Sequence, residues 1–141
     1  MKSNMHKIGR KFGRRAKNRF SVPGATVSWA YKEEEIHADE TTPLSDISLT
    51  GLSLLTNNPP EEGSDIFLRL SLPKQPGRID LHARTVYSMF RGPGLTYEYR
   101  VGTEFKPFSE TEGDNAPQSK DALEELEQTY GKRMEVQEVE D

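Results

Sequence analysis

Hydrophobic residues are concentrated between about residues 20 and 108, where they largely alternate with polar residues. The clearest alternation, over residues 66–72, places isoleucine and leucine on one face, with Phe67 as an exception on the polar face. A period of two is typical of a β-strand that packs against a core on one side. The pattern therefore predicts a sheet protein.

Turn-forming residues divide the hydrophobic region into extended segments. The predicted strands are residues 21–31, 44–48, 52–56, 66–72, 79–90 and 95–105, and residues 32–42 are expected to form a charged loop or hairpin rim. In the strand over 79–90 the alternation slips near Arg84 and Thr85, which predicts a β-bulge. Short strands separated by turns favour an antiparallel barrel or sandwich, and the short span of the set favours a small barrel.

Residues 119–130 change to a helical period. The apolar residues that share one helix face are Ala122, Leu123, Leu126 and Tyr130. Ser119 is placed to cap the helix N-terminus, and Gly131 is a candidate for its C-cap. Because the segment contains few apolar residues, we expect it to dock weakly at best.

The charges of this 141-residue chain are distributed unevenly. Residues 1–20 contain eight basic and no acidic residues, whereas residues 109–141 contain eleven acidic and three basic residues; the net charge is −4. We therefore expect a flexible basic arm over residues 1–13 and a barrel domain over residues 14–108. A linker and helix over residues 109–131 and a disordered acidic tail over residues 132–141 should follow.

Several classes of protein are excluded or disfavoured by what the sequence lacks. It contains no cysteine, which excludes disulfides and thiolate chemistry, and its three histidines lack metal-ligand spacing. No apolar run reaches the about 20 residues of a membrane span, and no signal-peptide pattern follows the basic N-terminus. Nucleophile, P-loop and dinucleotide patterns are also missing. We expect a cytoplasmic protein that is not an enzyme, uses no metal or cofactor and contacts no membrane.

The first candidate motif is a pair of arginines, Arg15 and Arg19, immediately before the first predicted strand. A guanidinium presents a planar set of donors that matches phosphate oxygens or the O6/N7 edge of guanine. Two of them four residues apart could clamp an anion that carries guanines. A solvated basic tail would have the same composition, so this motif alone does not decide between the two interpretations.

The second candidate motif is Asp46-Ile47-Ser48-Leu49-Thr50-Gly51, where one predicted strand ends and the next begins. The carboxylate of Asp46 can accept hydrogen bonds from guanine N1–H and N2–H₂ together, with the hydroxyl of Ser48 beside it. Gly51 has no Cβ, so a flat ligand can approach its backbone. The alternative is a simple turn in which Asp46 and Ser48 bond to their own backbone.

In this order, and followed by further antiparallel strands, the two motifs resemble those of the PilZ domain family. Residues 63–70 resemble a middle strand of that family, and residues 83–87 lie where the family usually has a small residue, a base and a valine. Arg-Val-Gly-Thr-Glu-Phe at 100–105 resembles its closing strand. The resemblance covers roughly residues 10 to 130. It implies an all-β fold, a six-stranded antiparallel barrel with a C-terminal helix, and the bacterial second messenger cyclic di-GMP as the ligand.

The resemblance also assigns roles to particular side chains. The implied ligand-binding residues are Arg14, Arg15, Arg19, Asp46, Ser48 and Gly51. The arginines would bind phosphates and guanine edges, and Arg14 would influence whether one ligand or a stacked pair is bound. Asp46 and Ser48 would bind polar groups of guanine, and Gly51 would shape the turn.

We therefore expect a receptor or adaptor that binds cyclic di-GMP, closes its arginine arm over the ligand and signals to an unidentified downstream protein. Ordering a residue costs about 1–2 kcal/mol of backbone entropy, so we expect residues 14–20 to become ordered and residues 1–8 to stay loose. The protein should be a monomer or a weak dimer.

Two other functions stay open from the sequence. A small barrel with a basic arm could bind single-stranded nucleic acid or RNA, which predicts exposed aromatic residues and a steep salt dependence; the acidic net charge argues against such a partner. A PilZ-like protein could also act as an interaction scaffold without binding nucleotide, which the presence of both motifs argues against.

Overall fold

The computed structural model describes residues 19–37, 39–74 and 77–131. Arg14 and Arg15 lie outside the described residues. The same holds for the predicted flexible arm over residues 1–13 and the predicted disordered tail over residues 132–141.

Within the described part of the chain, six antiparallel strands form a closed barrel. The strands are β1 (Thr26–Ala30), β2 (Thr42–Ile47), β3 (Leu52–Thr56), β4 (Asp65–Ser71), β5 (Arg78–Phe90) and β6 (Tyr99–Phe105). They follow one another around the barrel in the order β1-β2-β3-β6-β5-β4, and β4 pairs with β1 to close it. The predicted antiparallel barrel is confirmed.

Period-two alternation accounts for the core of the barrel. In β4, Ile66, Leu68 and Leu70 are at most 2% exposed, whereas Phe67 faces outward and packs edge-on against His82. Inward residues of the other strands complete the hydrophobic core, together with residues that precede β1. Burying a side chain of this size contributes about 1.5–3 kcal/mol, so the alternation fixes which face of each strand points inward.

Register shifts in two of the described strands change the direction of nearby side chains. In β5 the register with β6 shifts between Thr85 and Tyr87, so Val86 is an extra residue and the predicted bulge is confirmed to within one position. In β2 the register with β3 shifts between Leu44 and Asp46, which the sequence alternation does not indicate. A bulge re-aims the side chains beside it, and here these include Asp46 and Tyr87.

The helix after the barrel corrects three predictions. Helix α1 (Pro117–Leu126) continues into a π-helical turn (Glu127–Gly131). Leu123 and Leu126 are buried in the core, so the prediction of weak docking is wrong: two well-placed leucines are sufficient. Ser119 does not cap the helix, because Ala116 occupies that position and Pro117 opens the first turn. Gly131 closes the π-helical turn without the positive φ of a glycine C-cap.

Two strands are shorter than predicted. β1 begins at Thr26 because a turn at Pro23 and Gly24, with Gly24 at a φ of 85°, breaks the extended segment before it. β6 begins at Tyr99, since residues 91–98 form a loop. The predicted charged loop over residues 32–42 contains an exposed 3-10 turn (Glu33–Glu35). Among the described helices, none is long and apolar enough to cross a membrane.

Candidate functional site

Asp46 brings together three side chains that are distant in the sequence. Its Oδ1 accepts hydrogen bonds from Arg19 Nη1 at 2.6 Å and from Ser53 Oγ at 2.5 Å. Its Oδ2 accepts a hydrogen bond from Arg100 Nη2 at 2.8 Å. The Asp46 side chain is 20% exposed, so this carboxylate lies at the surface but is largely enclosed by its donors.

The carboxylate belongs to a row of residues that crosses four strands on the outer face of the barrel. Asp46 pairs with Ser53, Ser53 with Gly102, and Gly102 with Tyr87. Val101, next to Gly102 in the chain, is completely buried, so Gly102 faces outward. The ring of Tyr87 lies directly over Gly102, where a Cβ would stand 2.0 Å from Tyr87 Cε2. The row therefore combines a carboxylate, a hydroxyl and an aromatic ring on one surface.

Arg19 is held at this site by the residue that follows it. Phe20 forms two backbone hydrogen bonds with Ile47, both 2.9 Å long, and its side chain is 1% exposed. This pairing fixes Phe20 beside Ile47, the residue of β2 that follows Asp46. Phe20 is the last residue of the segment that the sequence predicts to become ordered with the arm. In the structure it is part of the hydrophobic core.

The turn after β2 depends on local hydrogen bonds. Ser48 is 3% exposed, and its Oγ lies 3.1 Å from Thr50 Oγ1 and accepts the Thr50 backbone N–H at 3.2 Å. The Ser48 N–H donates to the Gly51 carbonyl at 2.8 Å. These contacts match the alternative interpretation in which Ser48 stabilises its own turn, and a contact from Ser48 to a ligand stays a prediction.

Gly51 has a specific steric reason to be glycine. A Cβ at this position would lie 2.1 Å from the backbone carbonyl oxygen of Thr103 on β6. Its φ is not positive, so close packing and not the left-handed backbone region excludes a larger residue. Gly51 lets the turn pack directly on β6 and thereby sets the position of Asp46.

These features accompany a match to a known family. A family model described as the PilZ domain matches residues 13–117, which is most of the chain. The chain belongs to the PilZ domain family.

Three solved structures are similar to this PilZ domain at low sequence identity. The PilZ domain with c-di-GMP of YcgR from Escherichia coli has a TM-score of 0.58 at 17% identity, covering 87% of this chain and 95% of that one. The K. pneumonia MrkH-c-di-GMP complex has a TM-score of 0.56 at 16% identity, covering 77% and 48%. MotI/DgrA, the Bacillus subtilis inhibitor of motility, has a TM-score of 0.49 at 18% identity, covering 70% and 42%.

The chain thus spans less than half of the MrkH and MotI chains to which it is similar. At these identities the likeness shows the fold of the PilZ domain alone. No curated protein matches the sequence of this chain.

Arg100, Ser53 and Tyr87 join the site although they are not among the residues predicted for it. Arg100 lies in the closing-strand segment, to which the sequence assigns no ligand contact, and only the strand pairing brings it to Asp46. Ser53 meets Asp46 through the register set by the β2 bulge, for which the sequence carries no signal. Tyr87 reaches the site because the β5 bulge turns it outward over Gly102.

A cavity of about 540 Å³ lies elsewhere, between β4, β5 and α1 of this PilZ domain. Its charged groups are paired with each other, since Asp80 bonds to both Arg69 and Arg78. The Asn115 side chain is bonded to backbone groups of His82 and Lys106. These polar groups of the cavity therefore already have partners within the protein.

Proposed function

We propose that this PilZ domain binds cyclic di-GMP on the outer face of the barrel around Asp46. The observation that carries the proposal is the convergence of Arg19, Arg100 and Ser53 on that one carboxylate. Membership of the family supports it, as do two similar solved structures, of the YcgR PilZ domain with c-di-GMP and of the MrkH-c-di-GMP complex.

Each group suits part of a molecule with two guanines and two phosphates. The Asp46 carboxylate is an acceptor for guanine N1–H and N2–H₂, and Arg19 supplies planar donors for phosphate or the guanine O6/N7 edge. Tyr87 offers an aromatic surface for stacking, which contributes about 1–3 kcal/mol per base in nucleic-acid complexes. Arg15, outside the described residues, completes the predicted arginine pair.

The hydrogen bonds of Asp46 define what must change on binding. Arg19 and Asp46 are bonded to each other, so a guanine that takes the carboxylate has to displace Arg19 from it. Arg100 and Ser53 can keep the carboxylate oriented while Arg19 turns to the ligand. The arm before Phe20 then moves with Arg19, and a downstream protein reads the altered surface. In this proposal the protein is a receptor or adaptor that acts in the cytoplasm and catalyses no reaction.

Calorimetric titration of the full chain with cyclic di-GMP at low salt tests the proposal. We expect saturable binding that is weakened at least about 100-fold by Asp46→Ala, because two charge-assisted contacts at about 1.5–3 kcal/mol each are lost or misplaced. Arg15→Ala should weaken binding as well. Asp80→Ala is the matched control: this carboxylate also bonds two arginines, and its removal should leave the affinity within about twofold.

Two outcomes would contradict the proposal. One is the absence of binding by the intact protein, which would leave an interaction scaffold. The other is equal binding by wild type, Asp46→Ala and Arg15→Ala. Binding of a single-stranded oligonucleotide that cyclic di-GMP does not displace would favour a nucleic-acid function instead.

A further inference from the structure

We propose that the end of the β5–β6 hairpin docks a second copy of this chain. We name residues 86–101 the terminal ribbon: the last part of β5, the loop that follows, and the first part of β6. The terminal ribbon includes Tyr87 and Arg100 of the candidate site, but the proposal concerns its exposed apolar side chains and its strand edge, and does not depend on nucleotide binding.

Large apolar side chains are exposed along the terminal ribbon. Of the five large hydrophobic residues that are exposed in the described part of the chain, four lie within it: Val86, Met89, Phe90 and Leu95. Each is between 44% and 52% exposed. A single exposed apolar side chain is ordinary on a soluble protein, whereas several within ten residues mark an interaction surface.

The terminal ribbon also carries a strand edge that no described strand pairs. β4 pairs with β5 as far as Arg84, and backbone bonds from Gly63 and Ser64 continue to Thr85. Beyond that point the only described strand that pairs with β5 is β6. The N–H of Ser88 instead donates to a Glu62 carboxylate oxygen at 2.9 Å. A strand edge of this kind can pair with another strand.

Hydrogen bonds hold the terminal ribbon in a defined shape. Asn57 on the neighbouring turn donates to the Thr96 carbonyl at 2.9 Å and accepts the Glu98 N–H at 2.9 Å. Arg91 Nη1 donates to the Tyr97 carbonyl at 2.6 Å. The rings of Phe90 and Tyr99 pack 5.4 Å apart. Such a preorganised surface loses little side-chain and loop entropy when it docks.

The charges around the terminal ribbon point to a second copy and away from a strongly acidic or basic partner. Three bases and three acids lie along or beside it: Arg84, Arg91, Arg100, Glu62, Glu98 and Glu104. A two-fold axis brings the same patch onto both sides of an interface, so an apolar centre with a balanced rim complements itself. An antiparallel strand edge has the same property, and β5 of one copy can pair with β5 of the other.

The expected dimer is weak. Four half-exposed side chains, of which only Phe90 is aromatic, offer roughly 300 Å² per copy, since even an aromatic side chain buries only about 150–250 Å² when fully covered. A standard interface buries about 800 Å² per partner. The association should therefore depend on concentration across the micromolar to millimolar range.

Methionine methyl NMR tests the contact on the unmodified protein. Met89 is the one methionine among the described residues; Met1, Met5 and Met134 provide reference signals from outside them. With ¹³C-methyl methionine, the Met89 signal, assigned from Met89→Leu, should shift progressively as the concentration rises. A Met89 signal that stays fixed up to millimolar protein overturns the proposal.

Sedimentation over the same concentrations gives the mass and the contact residues. Wild type should move from 16.0 kDa towards twice that mass, and Phe90→Ser should stay at 16.0 kDa. Ser88→Pro should also stay monomeric, because it removes an edge N–H without touching the β6 ladder. Tyr31 is the fifth exposed large hydrophobic residue and lies outside the terminal ribbon, so Tyr31→Ser should dimerise as wild type does.

Equal dimerisation of wild type, Phe90→Ser and Ser88→Pro would place the contact elsewhere and overturn the proposal. A wild type that is monomeric throughout would do the same. Should either variant fail to fold, the Met89 titration of the wild type still decides.

Discussion

Two carboxylates of this PilZ domain, Asp46 and Asp80, each bond two arginines, yet they lie in very different surroundings. Asp80 bonds Arg69, its cross-strand partner, and Arg78, two residues away on the same strand. Regular antiparallel pairing of two strands brings such neighbours together. Asp46 bonds Arg19 and Arg100, which are 27 and 54 residues away.

The difference teaches that pairing with arginine does not by itself identify a site. The side chain of Asp80 is 39% exposed on a regular strand, where an ion pair is solvated and contributes little. That of Asp46 is 20% exposed, follows a bulge and accepts an additional hydroxyl donor. The ion pairs of Asp46 therefore depend on contacts between distant parts of the fold, whereas those of Asp80 need only the regular pairing of neighbouring strand residues.

The largest expected effect comes from the glycine that supports Asp46. Gly51→Ala places a Cβ against the Thr103 carbonyl and forces β6 to move, so we expect it to lower the free energy of unfolding by about 3 kcal/mol. The control beside the Asp80 strand is Gly77→Ala, which meets no atom but has a φ of 88° and should cost about 1–2 kcal/mol. Urea denaturation measures both, and equal losses would contradict the steric argument.

The sequence predicts the fold well because the fold depends on a pattern repeated many times. Alternating apolar residues, together with the turns between them, mark the strands. Each strand has several apolar residues on its buried face, and all of them indicate the same structure. The errors occur where few residues decide the outcome. Two leucines dock α1, and Pro117 opens it in place of the expected Ser119 cap.

The candidate site is only partly predictable for a physical reason. Asp46 and Gly51 belong to a short contiguous motif that can be read along the chain. Arg100, Ser53 and Tyr87 reach the same surface through cross-strand pairing and two bulges, and a shift of one residue would turn them inward. A period-two pattern does not determine the strand register to a single residue, so the motif locates the site but does not identify all of its residues.

A smaller effect is expected when the two carboxylates are removed in the absence of ligand. Asp46→Ala leaves Arg100 with only its 3.3 Å hydrogen bond to Ser53 Oγ, and the buried Nε of that arginine has no hydrogen-bond partner among the described residues. We expect a loss of about 1–2 kcal/mol in the free energy of unfolding. Asp80→Ala should cost at most about 0.5 kcal/mol and lose even that in high salt. Comparable losses from the two substitutions would remove the distinction between the carboxylates.

The smallest effect concerns the arginine that orients Asp46. Arg100→Ala should weaken binding of cyclic di-GMP about tenfold, because one charge-assisted bond at about 1.5 kcal/mol no longer holds the carboxylate. Arg100→Lys keeps the charge but not the planar donors that reach both Asp46 and Ser53, so it should recover only part of the affinity. Arg69→Ala, the equivalent change at Asp80, should leave the affinity unchanged. If calorimetry gave Arg100→Ala and Arg69→Ala the same affinity, Arg100 would be one more surface ion pair, and the site would reduce to the residues of its two sequence motifs.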